Sequence, residues 1–325
     1  MAALEAAIGL TLALAVAAPH TLPLRRVTPA VSATLWLCAL ALRALIAIAI
    51  SLLVFVYMPR TGVYDAVAHW CWHEALPLVA THLGLSGHPL IHAAIVLPAL
   101  ALAGSLLWVA CGATRAWLAL RPKLRAAVGR GPLGSTIIAD DSILVAVPTL
   151  GRGRILVSDT AMAIMDADEL RASLNHELGH IHRRHRPLVL ATAVLAALGR
   201  PLPGTRVAVR ELLLCLERDA DNYAVARTRD PLALASAICK AATPGPLAGT
   251  TGLGGGGRVL HRLDYLQGQG PRAGRRLEGS ARLLAALSVI LVLGLSVTLP
   301  SWALAAPRGE HGASMVAAHC ARDNG

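Results

Sequence analysis

Residues 174–185 read Leu-Asn-His-Glu-Leu-Gly-His-Ile-His-Arg-Arg-His, and within them His176-Glu177-Leu178-Gly179-His180 sets two imidazoles four residues apart with a carboxylate beside the first. On a helix that spacing stacks both rings on one face, about 40° apart. Two such rings can share one tetrahedral Zn²⁺, which lowers the pKa of a coordinated water to about 7 and puts Glu177 where a proton acceptor is needed. The helix is expected on other grounds as well. Asp166 and Glu169 form a capping-box signal, and Leu170, Leu174, Leu178 and Ile181 recur at helical spacing to make a buried stripe. A surface helix end, with His182, Arg183, Arg184 and His185 facing solvent or headgroups, would carry the same letters.

A third ligand decides between the two, because a catalytic zinc takes three protein ligands and keeps its fourth position open. The run Val207–Arg227 lacks Gly and Pro and is predicted helical; it contains Glu217-Arg218-Asp219-Ala220-Asp221. Glu217 can complete the set, and Asp221, one turn on, can hydrogen-bond an imidazole and orient it. Ala220 and Ala224 are small enough to let this helix approach the first. A solvated acidic cluster is the alternative reading of the same residues. Upstream, 142–148 and 154–158 are predicted strands joined by a turn at 149–153, with 154–158 the expected edge on which a peptide would add. Leu253 to Gly257 lacks the Lys-Ser/Thr of a phosphate loop and is expected to be a flexible linker.

The rest of the chain is apolar: 325 residues, 55% hydrophobic, 15% charged, with a mean hydropathy of +0.57. That excludes a disordered or disulfide-stapled protein and predicts membrane spans. Candidate spans are roughly residues 3–22, Val31–Tyr57 (interrupted by Arg43), Ile91–Cys111 and Leu283–Leu304. A signal peptide is the competing reading of the first, but its only early charge is Glu5. Residues 187–199 are apolar too, yet reach only about 20 Å against a core of about 30 Å. One crossing there would also part His180 from Glu217, so a buried or interfacial helix is expected. Residues 112–280 hold 23 of the 30 basic and 14 of the 19 acidic residues. The positive-inside rule therefore places this segment in the cytoplasm, both termini outside, and its excess positive charge toward an anionic inner leaflet. No helix-turn-helix or aromatic-interleaved basic strip suggests direct nucleic-acid binding.

His-Glu-Leu-Gly-His followed by Glu217-x-x-Ala220-Asp221 resembles the membrane-integral gluzincins, as do Pro148-Thr-Leu-Gly-Arg-Gly-Arg-Ile-Leu-Val-Ser158 and Asp168-Glu169-Leu170. The specific motifs fall in about residues 148–227. The resemblance implies zinc on His176, His180 and Glu217, Glu177 as catalytic base and Asp221 as orienting residue. The CAAX-prenyl-protease and HtpX-like branch places spans among the catalytic residues, whereas the BlaR/MecR type regulatory peptidases place three before the protease domain and one after. This chain's plan is similar to the second. It departs in having only about twenty residues after the last span, with no S-x-x-K and so no penicillin-binding sensor.

The expected fold is an α-helical membrane protein of about four transmembrane helices with an inserted α+β zincin-like metallopeptidase domain. Residues 1–111 would carry three helices, 112–280 the cytoplasmic protease domain, 281–306 the fourth helix and 307–325 a short outer tail. By family analogy the substrate is a cytoplasmic regulatory protein such as a winged-helix transcriptional repressor, and self-cleavage near Arg275-Arg276 is a second expectation. An HtpX-like quality-control protease is the runner-up, and a non-catalytic sensor or scaffold with a structural zinc is the reading of another class. Glu177 argues against the last, since a purely structural site has no use for a general base.

Several residues remain open. His261 and Tyr223 are candidate transition-state stabilisers. Arg43 is either a functional charge within a span or a snorkelling one. His69, His73, His82, His88 and His92 in or near the 58–90 loop are either a metal or pH sensor or an interfacial segment anchored by Trp70 and Trp72. The six Cys are scattered and suggest neither a zinc ribbon nor a redox pair; a Cys71–Cys320 disulfide is conceivable without support from spacing.

Overall fold

The computed structural model describes residues 2–57, 89–125, 127–141, 145–146, 154–242, 256–268 and 273–305. Of the expected 58–90 loop, residues 58–88 lie outside them, as do the 149–153 turn, Leu253 to Gly255 of the expected 253–257 linker and the 307–325 tail; Pro89–Leu90 and Gly256–Gly257 are helical rather than loop or linker.

Helix α1 (Ala2–Thr21) and a short 3-10 turn (Leu24–Arg26) lead into α2 (Pro29–Tyr57), and α3 follows at Pro89–Arg125. Four short strands, β1 (Ala127–Arg130), β2 (Thr136–Ile138), β3 (Val145–Ala146) and β4 (Leu156–Ser158), precede α4 (Asp159–Ile164), α5 (Ala167–His182), α6 (His185–Leu198) and α7 (Thr205–Thr228). The described chain closes with α8 (Pro231–Ala241), α9 (Gly256–Leu266) and α10 (Arg275–Ala305). Among the described residues, three helices contain stretches long and apolar enough to cross a membrane: Pro29–Leu52, Leu100–Ala119 and Arg275–Thr298. The first predicted span contributes the shorter apolar stretch Gly9–Thr21. Leu107 and Trp108 of α3 and Leu283, Ile290 and Val297 of α10 face outward, the pattern of a lipid-facing surface.

The sheet runs β1-β2-β4-β3, with β2 and β4 parallel and the outer pairs antiparallel. β3 and β4 are the expected strand pair, shortened, while β1 and β2 went unread because Ala127–Arg130 (Ala-Val-Gly-Arg) has no alternation to betray it. The edge expectation fails: β4 lies between β2 and β3, its three residues all buried. Among the described strands the edges are β1 and β3.

Three cores organise the helices. One joins Leu35, Trp36 and Leu40 of α2 to Ala208, Leu212, Cys215 and Leu216 of α7 and to Ala281 and Ala285 of α10. A second sets the sheet residues Val145 and Val157 against Leu170 and Leu174 of α5. The third gathers Ala172, Ala224, Leu234, Ile238 and Val259 from α5, α7, α8 and α9. The segment α6, read as buried or interfacial, packs beside α2 and α3. Arg43 does not snorkel. Only 2% exposed, it donates to the carbonyls of Pro203 and Ala39, each at 3.0 Å, and meets His20 Nε2 at 2.8 Å. Its guanidinium thereby fixes the turn between α6 and α7. Gly204 in that turn has φ +79, and a Cβ there would lie 2.8 Å from Arg43 NH2, so both conformation and space require glycine.

Candidate metal centre

Helix α5 begins as its sequence predicts. Asp166 accepts from the backbone N–H groups of Asp168 and Glu169 while the Glu169 carboxylate accepts from Asp166 N–H. Glu169 also takes hydrogen bonds from Ser236 and Lys240 of α8, each at 2.5 Å, so the cap is tied to a neighbouring helix. Leu170 and Leu174 face the sheet as expected. The opposite face carries His176 and His180 toward α7.

Contact between these helices is unusually close at one point. A Cβ added to Gly179 would lie 3.1 Å from Ala220 Cα, 3.2 Å from Ala220 O and 3.2 Å from Tyr223 Cβ. Gly179, Ala220 and Ala224 together let the two backbones approach. Ala220 and Ala224 were legible for this role in the sequence, whereas Gly179 was passed over as a variable letter of the motif.

This approach brings the predicted ligands together. His176 Nε2 lies 3.1 Å from His180 Nε2 and 3.5 Å from Glu217 Oε2, and His180 Nε2 lies 3.8 Å from Glu217 Oε1. One donor atom from each residue falls within 4.8 Å of the others. Glu177, beside His176, is buried. Asp221, fully buried, holds His176 Nδ1 at 2.8 Å. A carboxylate can only accept here, so His176 Nδ1 carries the hydrogen and Nε2 is turned to Glu217.

Two further supports were not read from the sequence. Arg262 of α9 grips Asp221 with two nitrogens, at 2.9 and 2.6 Å, and reaches Glu217 Oε2 at 3.1 Å. Its signal was a lone Arg on an apolar helix face, since Val259, Leu263 and Leu266 of the same face pack into a core. His185 is the second. Arg184 adopts a left-handed conformation (φ 55, ψ 40) that breaks α5 from α6. The break returns the buried His185 ring over His180, with Nδ1 to Nδ1 at 3.0 Å and His185 Nε2 3.1 Å from Asp219 Oδ2. Asp219 accepts from His185 Nε2–H, and the Nδ1-to-Nδ1 hydrogen bond between His185 and His180 leaves His180 Nε2 facing the cluster. His182, by contrast, stacks on Tyr223 at 5.3 Å, and His261 is exposed, 3.5 Å from Arg25. Among the described contacts neither Tyr223 nor His261 reaches the three ligands.

The ionisable groups of the cluster are tied to one another. Burial and the Arg262 charge depress the His176 imidazole, but its hydrogen bonds to Asp221 and Glu217 prevail and leave it pushed up to about 9. Burial and the neighbouring His176 push His180 down to about 3; a metal on the two rings would have to displace the proton that His176 favours. Burial opposes ionisation of Glu217 and Asp221; the contacts with His176 and Arg262 outweigh it and hold both well below the usual carboxylate range.

Two imidazole nitrogens and one carboxylate oxygen, with both distal ring nitrogens engaged, fit a three-ligand zinc site. Residues 146–201 match the model of Peptidase family M48. The match supports a zinc metallopeptidase and takes in α5 with both histidines; Glu217 and Arg262 lie beyond it. No curated protein and no solved structure matches the chain.

Proposed function

We propose that the chain is a membrane-bound zinc endopeptidase with His176, His180 and Glu217 as ligands, Glu177 as general base and Asp221 as orienting residue. The observation that carries the reading is the convergence of three donor atoms from α5 and α7 within 4.8 Å, beside a glutamate adjacent to the first ligand. When bound, zinc acidifies water and polarises a substrate carbonyl. The residues around it do the remaining work. Glu177 accepts the proton of the attacking water and returns it to the departing amine. Asp221 and the His185–Asp219 pair hold the two ring tautomers, and Arg262 keeps Glu217 and Asp221 ionised and in place.

The three apolar helices support a membrane location. Residues 112–280 would then face the cytoplasm, with both termini outside. Two span-length apolar helices ahead of the sheet, preceded by the shorter apolar stretch Gly9–Thr21, and one after α9 are compatible with the BlaR/MecR type reading, in which the substrate is a cytoplasmic regulatory protein such as a winged-helix repressor. One observation favours the HtpX-like processing protease instead: α6, between His180 and Glu217, is apolar and packs beside α2 and α3. Substrate distinguishes the two readings, through cleavage of a folded repressor or of damaged membrane proteins.

The test compares wild type with Glu177→Gln in purified full-length protein. Zinc bound stoichiometrically by both, with cleavage of a peptide library or of the chain itself by wild type only, is the expected result. Equal cleavage by both, or no zinc on the wild type, refutes it.

A further inference from the structure

A cavity of about 520 Å³ lies between the α1–α2 junction and the outer faces of α7 and α9. One wall is apolar and comes from the ends of the first two helices: Pro19, Leu22 and Trp36. The opposite wall is polar and rich in arginine, with Arg25, Arg26 and Arg218 beside Glu211 and Asp264.

Arg218 is the decisive group. It is only 5% exposed, and its Nε is buried without a hydrogen-bond partner. Its described contact is the face of Tyr265, with the guanidinium carbon 4.1 Å from the ring centroid. Among the described residues no carboxylate lies within ion-pair distance of it. Two acids line the cavity: Glu211 accepts two hydrogen bonds from Arg25 at 2.7 and 3.2 Å, and Asp264 is exposed and makes no ion pair with Arg218 among the described residues. Buried charges in proteins are paired, because an unpaired one forfeits its hydration for nothing. A ring face alone is a weak substitute for a carboxylate. The cavity thus presents a buried arginine without an ion-pair partner beneath an apolar wall.

We propose that this cavity binds the phosphate headgroup of an anionic membrane lipid, with Arg218 and Arg26 on the phosphate and the acyl chains along Pro19, Leu22 and Trp36. An amphiphile matches both walls, where a free anion would match only one. The location matches as well: Arg25 and Arg26 sit at the end of α2 that the distribution of basic residues turns to the inner leaflet. The bound lipid would bridge the α1–α2 junction to α7 and α9, the helices that carry Glu217 and Arg262.

The test is calorimetric titration of the full chain, in a zwitterionic detergent, with short-chain phosphatidylglycerol below its micelle concentration. Parallel titrations use phosphatidylcholine of the same chain length, inorganic phosphate and an acetylated Asp-containing peptide. Saturable phosphatidylglycerol binding is expected, weakened about tenfold or more in Arg218→Gln, with phosphatidylcholine and phosphate both weaker by a similar factor. Phosphate binding as tightly as the lipid would show a free-oxyanion site and overturn the lipid assignment. Displacement of the lipid by the acidic peptide would make the cavity a substrate subsite and overturn it too. If Arg218→Gln loses helical circular dichroism, Arg26→Gln and Trp36→Ala take its place; wild-type affinity in both overturns the proposal.

Discussion

Gly179→Ala is the most informative single change, because it adds one methyl at the point where α5 and α7 touch. The new Cβ would sit 3.1 to 3.2 Å from Ala220 Cα, Ala220 O and Tyr223 Cβ, against 3.4 Å or more for ordinary contact. Two of the three obstacles are backbone atoms, so no rotamer change relieves them and the helices must part by a few tenths of an ångström. Alanine favours the helix by about 1 kcal/mol over glycine, while overpacking costs about 1–3 kcal/mol. The net loss of stability is therefore modest, about 0–2 kcal/mol. Metal binding feels the change more strongly. Zinc ligand distances tolerate about 0.2 Å, and His176 and His180 stand on one helix with Glu217 on the other. Zinc affinity is expected to fall about 10- to 100-fold, the range seen when a ligand's support is removed, while helical content stays the same. Competition with a fluorescent zinc chelator measures the first and circular dichroism the second. Ala220→Gly should not restore affinity, because the obstructing Cα and O atoms persist. Wild-type zinc affinity in Gly179→Ala, or full rescue by Ala220→Gly, would refute the close-approach argument.

Other expectations follow from the buried charges. Arg262→Met leaves Asp221 and Glu217 without their shared cation and should destabilise the metal-free protein by about 3–5 kcal/mol, read by chemical unfolding; a loss below about 1 kcal/mol would contradict the buried network. Asp221→Asn keeps the shape and removes the charge, so zinc affinity should drop about 10-fold or more without loss of fold. Glu169 supplies the pH test. Burial raises its pKa, but Lys240, Ser236 and the Asp166 N–H together pull it below the ordinary value. Its contribution is thus complete above about pH 4.3 and is lost as pH falls through the lower folded value. Glu169→Gln should cost about 1–2 kcal/mol at pH 7 and nothing once the wild-type carboxyl is protonated; an equal cost at both pH values would show that charge is not the cause.

Local signals made much of this legible. The capping box, the leucine stripe of α5 and the gap-free run of α7 each depend on residues a few positions apart, and the grouping of His176, His180 and Glu217 was expected from spacing plus one requirement of zinc chemistry. What escaped depends on tertiary return of the chain. His185 enters the cluster only because Arg184 turns left-handed and reverses the path, and a run of His and Arg reads as solvated until that break is seen. Arg262 lies 41 residues after Asp221, beyond the Gly-rich stretch, so nothing near it announces its partner. Arg43 was recognised as anomalous, yet its acceptors are carbonyls, which no side-chain pattern reports. The misplaced sheet edge has the same origin: strand order is set by β1 and β2, whose residues show little periodicity.

Helix α7 spans 24 residues, about 36 Å, and is a single beam with two tenants. Its first half is mortared into α2 and α10 through Leu212, Cys215 and Leu216; its second half carries Glu217 and Asp221. Cutting the chain before residue 112 would remove Leu35, Trp36 and Leu40, and with them the footing on which Glu217 stands. Conversely, any tilt of α2 against its neighbours is delivered along that beam to the cluster of His176, His180 and Glu217 without an intervening hinge, so the long apolar helices and the candidate site share one mechanical frame.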